Sequence, residues 1–189
     1  MRLRFWVLAV GIFVLPGVVE AEVKVAVGRS EVDAGFAFAS VPPPAVDDAA
    51  AAARFTLVDG PRDPNSGPLD VLHDGRVPTD EDQPAANFFF RAGAAGGRVL
   101  VDLGKAISVK RVGTYSWHAN TRAPQVYTLY AAAGTEAGFQ QAPSQGADPA
   151  ACGWKRLAQV DTRTNDGAAG QHGVAITDSA GPLGAYRYL

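Results

Sequence analysis

Beyond Gly67 apolar and polar residues alternate along most of the chain, and a period of two is that of β-strands, whose side chains point to opposite faces. In "GGRVLVDLG" Val99, Val101 and Leu103 share one face, while Leu100 and Asp102 share the other. "VKRVGTYSW" keeps Tyr115 and Trp117 in phase but puts Val109 and Val112 out of phase, so a bulge or bend is expected near Lys110. "QVYTLYAA" is apolar on both faces, as in a central strand of a two-layer structure. "GWKRLAQVDTR", "HGVAITDS" and the terminal "AYRYL" read as further strands, the first two divided by the turn-rich "NDGAAGQ". "NFFFRAG" is a short aromatic run ended by glycine, and alternation sets Phe89 on the face opposite Phe88 and Phe90.

Before Gly67 the signals are mixed. "VKVAV" and "FAFAS" fit short strands, "VPPPAVDD" a stiff loop, and "AAAAARFTLV" either a helical turn or a strand entry. "DGPRDPNSGP" is dense in turn residues and reads as a loop. No span holds a helical period. Short strands separated by turn clusters predict an all-β fold, an antiparallel β-sandwich or barrel. A last strand that stops at Leu189 implies that the natural chain continues or that the sandwich closes elsewhere, because a bare apolar edge invites aggregation.

Composition sharpens this picture in three places. The 21 glycines and 13 prolines among 189 residues favour many turns over long helices. A formal charge of −2 with no Lys/Arg cluster argues against nucleic-acid binding. The first 21 residues read as an export signal: Arg2 and Arg4, then apolar Phe5 to Leu15, then Pro16-Gly17 and "VEA" before a cleavage site after Ala21. The apolar run is too short for a bilayer span, and no later segment is apolar enough, so the mature chain is expected to be secreted, periplasmic or on the cell surface. Cys152 is the only cysteine, which excludes an intramolecular disulfide; without a nearby base it reads as a quiet residue close to a turn.

In order along the chain, "VLHDGRVPT", "GGRVLVDLGKAISVKRVGTYSW", "TRAPQVYTLYAA", "GWKRLAQVDTR" and "GPLGAYRYL" resemble the discoidin, or coagulation factor 5/8 type C, domain. The likeness covers about residues 67–189, with residues 22–66 packing on the sandwich or forming part of it, and the domain is expected to be truncated at its C-terminus if the chain once continued. It implies a jelly roll of the galactose-binding-like type, with ligand-binding loops at one end. It also implies a structural calcium ion held by the Leu72 carbonyl, Asp74 and Thr79. Relatives add a carboxylate after the segment matching "YRYL", where this chain ends, so the implied cage lacks one ligand. Read without the resemblance, Asp74-Gly75 is simply a turn.

Catalytic signatures are missing. His73, His118 and His172 have no metal-ligand spacing, no G-x-S-x-G or P-loop occurs, and the acids at 47–48 and 80–82 read as solvated loop residues. "GAAGG" precedes a strand, which makes it a turn and no phosphate cradle. Sugar recognition is better supplied, since "WHANTR" places His118, Asn120 and Arg122 on a loop after a strand, with forked donors and mixed donor–acceptors for hydroxyls. The competing reading has Tyr115, Trp117, Tyr127 and Tyr130 packing the sheets, and Arg122 anchoring its loop on carbonyls or on Asp161. Three functions follow in order of preference: a non-catalytic module binding a glycan or other extracellular polymer, an exported structural domain meeting a protein partner, and a hydrolase of unrecognised type.

Overall fold

The computed structural model describes residues 22–30, 35–119, 122–163 and 170–189. The predicted export signal and Asn120 lie outside the described residues. Within them the strands are β1 (Val23–Ser30), β2 (Arg54–Asp59), β3 (Arg98–Val109), β4 (Arg111–His118), β5 (Val126–Ala131), β6 (Lys155–Asp161), β7 (Gly170–Asp178) and β8 (Gly184–Tyr188). All pairings are antiparallel, in the orders β1-β7-β4, β2-β3-β8 and β5-β6. Just past β5, the Ala132 N–H donates to the Tyr188 carbonyl at 3.0 Å and the Tyr188 N–H returns to the Ala132 carbonyl at 2.9 Å. That bridge joins the second and third sheets into one layer facing the first. The chain is an antiparallel β-sandwich, as its alternation predicts. Among the described residues no helix is long and apolar enough to cross a membrane.

β7 runs through the middle of the three-stranded layer and is buried from Gly170 to Ile176. Val174 and Ile176 face the other layer and meet Leu157, Ala158 and Val160 of β6, Ala131 of β5 and Tyr186 of β8. Burying a side chain of this size stabilises the fold by about 1.5–3 kcal/mol. The phase slip at Lys110 is the change of layer: β3 ends at Val109 in one sheet and β4 begins at Arg111 in the other. β8 is paired on both sides, with β3 and with Ala132, so the terminal strand presents no bare edge along that pairing.

The outer face of β7, with Gln171, Gly173 and Ala175, is covered by the segment around Phe36. "FAFAS" is no strand but a strap. Phe38 lies over the cross-strand pair Gly28–Gly173, where a Cβ on either residue would come within 2.4 Å of its ring. Only glycine leaves that slot open. Phe36 is wholly buried, meets Tyr115 and Trp117 edge-on at 6.1 and 6.3 Å, and donates its backbone N–H to Gln171 Oε1 at 3.2 Å. The Tyr115 hydroxyl closes the strap by donating to the Pro42 carbonyl at 2.6 Å.

β4 is the other edge of this layer, and a side chain takes the place of a strand there. Asn87 donates from Nδ2 to the Trp117 carbonyl at 3.0 Å and accepts the Trp117 N–H on Oδ1 at 3.3 Å. Asn87 is held in turn by the Asn87 carbonyl, which accepts from Gly67 N–H and Ser66 Oγ. Because both partners on Trp117 are part-buried, Asn87→Ala should destabilise the protein by about 1–3 kcal/mol, measured by urea unfolding.

Candidate functional site

β4 delivers His118 to one end of the sandwich, where the loop from Val71 to Asn87 folds beneath it. The Ala119 N–H donates to the Glu81 carbonyl at 3.1 Å, which ties the start of the "HANTR" loop to this second loop. Its far end is tied by Ser116 Oγ, which donates to the Ala123 carbonyl at 2.6 Å. His118 itself is buried, its side chain 7% exposed, with its ring edge-on to Phe89 at 5.5 Å. Nδ1 lies 3.1 Å from the Ala119 carbonyl, and since a carbonyl only accepts, Nδ1 carries a proton. Nε2 is buried without a hydrogen bond and faces Asp82 Oδ1 at 3.6 Å, while the Asp82 side chain is 84% exposed.

Asp82 in turn lines a shallow depression of about 610 Å³ together with Asp74, Arg76, Val77, Gln83 and Pro84. The loop carrying Asp74 and the end of β4 thus share one end of the sandwich, joined through Asp82. Of the three residues the sequence suggests for sugar binding, His118 sits under this end, Arg122 is exposed beyond the loop and Asn120 lies outside the described residues. The anchor considered for Arg122 is otherwise engaged: Arg163 pairs with Asp161 through its side chain and N–H, holding that carboxyl down to about 2.

Leu72 closes a 3-10 turn, Leu69–Leu72, with its side chain exposed. Asp74 Oδ1 accepts the Arg76 N–H at 2.9 Å, the turn expected of Asp-Gly. Thr79 is paired with Gln83, its N–H donating to Oε1 at 2.9 Å and its hydroxyl accepting from Nε2 at 3.1 Å. Calcium takes about six to eight oxygens. The trio offers a single carboxylate, half of it engaged, and cationic Arg76 lines the same depression. Those donors fall short of a calcium cage, and among the described residues no group of three His, Cys, Asp or Glu side chains could hold a metal ion.

No family model, curated protein or solved structure matches this chain. The site therefore stands on its chemistry. Two carboxylates that accept, an arginine that donates and a side-chain amide that keeps one N–H beyond its pair with Thr79 line one open hollow, a set suited to hydroxyl groups. Arg76 and Gln83 escape a reading of the sequence, and Asp82 passes there for a solvated acid. The only signal was the matching polarity of "HDGR" and "DEDQP" on either side of "VPT", which the fold brings together around the hollow.

Proposed function

We propose that this is an exported, non-catalytic binding module that recognises a glycan or another extracellular polymer at the loop end of the sandwich. A jelly-roll architecture of the discoidin type goes with this reading. The observation that carries it is the shared depression, in which Asp74, Arg76, Asp82 and Gln83 converge beside the loop that ends at exposed Arg122. The positively charged, then apolar N-terminus supports export. Titration with galactose-containing and acidic polysaccharides tests the site. Arg76→Ala and Arg122→Ala are each expected to weaken binding about tenfold, the equivalent of one charged hydrogen bond. Absence of glycan binding by the wild type, or unchanged affinity in both folded variants, overturns the reading.

A second reading, an exported domain that meets a protein partner and holds no sugar, is favoured by one observation. His118, placed by its loop position in the binding trio, is buried and packs on Phe89. A stoichiometric partner recovered from the extracytoplasmic fraction and retained against competing sugar would select it.

A further inference from the structure

A second hollow lies on the opposite side of the five-strand layer from the main core. There Leu100, Cys152, Trp154 and Tyr188 form a smaller apolar cluster, joined by Phe139 and Ala147 of the segment that crosses this face. Arg98 clamps that segment, donating to the Ala147 carbonyl at 2.7 Å while standing 3.4 Å from Asp59. Between segment and strands is a cleft of about 420 Å³, lined by Arg54, Thr56, Val58, Leu100, Asp102 and Gln141 among others. The volume falls in the range of about 300–1,000 Å³ usual for small-molecule sites.

The charges in this cleft do not cancel. Arg54 and Asp102 stand directly opposite on β2 and β3, where opposite charges ordinarily pair. Asp102 is already taken. Its Oδ1 accepts the Gly104 N–H and Arg187 Nε, both at 2.8 Å, and its Oδ2 accepts Arg187 Nη2 at 3.0 Å. Two guanidiniums therefore meet one carboxylate, and exposed Arg54 keeps an uncompensated positive charge over an apolar floor. Asp102 Oδ2 has capacity for one more donor, and Thr56 and Gln141 add a hydroxyl and an amide.

We propose that this cleft is a separate binding site for a carboxylate carried on a hydroxylated ring, the chemistry of a uronic acid. The carboxylate pairs with Arg54 as a fork, the ring hydroxyls reach Asp102 Oδ2, Thr56 and Gln141, and the ring's C–H face rests on Leu100 and Val58. The site is independent of the loop-end depression. Galacturonic acid, its trimer and galactose are titrated into the labelled protein, with backbone amide shifts as the readout. The acid is expected to move the amides of Thr56, Leu100 and Gln141, and galactose is not. Arg54→Gln should weaken binding at least tenfold, and Arg54→Lys, which keeps the charge without the fork, should weaken it less. Arg54 is exposed, so both variants should fold. Saturation by the monomer identifies a free acid as sufficient; saturation by the trimer alone identifies a polymer. Shifts confined to Arg76 and Gln83, equal shifts with galactose, or an undiminished response in Arg54→Gln overturn the proposal.

Discussion

Phe36→Ala is expected to lower the unfolding free energy by about 3–5 kcal/mol, the usual cost of emptying a fully buried phenylalanine site. Among the described residues Phe36 is the largest side chain with no solvent exposure, and it fastens the strap to the outer face of the three-stranded layer. Its ring is shared among Phe38, Tyr115 and Trp117 at 6.1–6.3 Å, so removal unpacks three aromatics at once. The position carries strain as well. Phe36 has φ +47°, a left-handed conformation that costs a bulky residue about 1–2 kcal/mol and persists only because the packing outweighs it. Alanine retains that penalty and loses the packing. Phe36→Leu should retain part of the contact and lose about half as much. Urea unfolding gives the energies, and a change in Trp117 emission before global unfolding would show the strap lifting first. A loss below about 1 kcal/mol in Phe36→Ala would mean that the strap does not hold this face.

The strap also marks where the sequence misleads. "FAFAS" has the alternation of a strand, yet it pairs with none. Phe36 and Phe38 are two apart because both lie against a sheet face, so the period records burial and carries no information about hydrogen bonding. "NFFFRAG" behaves alike. Phe88 and Phe90 touch at 5.4 Å and Phe89 turns to His118, as alternation predicts, but the only ladder contact is an isolated bridge from Phe90 to Arg62. Strands β3 to β8 were legible because each has one or both faces against a layer and turn residues at its ends. Trp117, in phase with Tyr115, packs as that phase implies. The site was legible only in part. "HANTR" announces itself as a polar loop, but its contact with Asp82 spans 36 positions of chain and depends on how two loops pack, which no local pattern encodes. Similarly, the surplus charge at Arg54 follows from Arg187, far away in sequence, claiming the carboxylate of Asp102.

Gln125→Ala is expected to cost about 2–4 kcal/mol, because one side chain satisfies polar groups on two strands at once. Its Nε2 has two hydrogens for three acceptors, the carbonyls of Thr114 (3.3 Å) and His172 (3.2 Å) and Ser116 Oγ (3.1 Å), so one hydrogen is shared between two of them. Its Oε1 accepts from the Thr114 hydroxyl. Since that hydroxyl has one hydrogen, the Tyr127 phenol 2.9 Å away must donate to Thr114 in turn, and burial pushes the phenol's pKa up, keeping it protonated. Truncation leaves these part-buried groups without the amide, at about 1–3 kcal/mol for each that stays unpaired, and the terms will not add in full because they belong to one network. The main chain of Gln125 is bonded separately to Thr162, by its N–H at 2.8 Å and its carbonyl at 3.0 Å, so the substitution isolates the side-chain share. Gln125→Glu keeps the size and one acceptor oxygen but removes the donors and adds a charge, and should cost at least as much as alanine. Unfolding free energies test the magnitude, and a loss under about 1 kcal/mol in both variants would refute the network's role. Hydrogen exchange tests its reach. Ser116, which fixes the far end of the loop after His118, takes one of these bonds, so amides from Trp117 to Ala123 should exchange faster in Gln125→Ala while those of β6 beyond Thr162 stay protected.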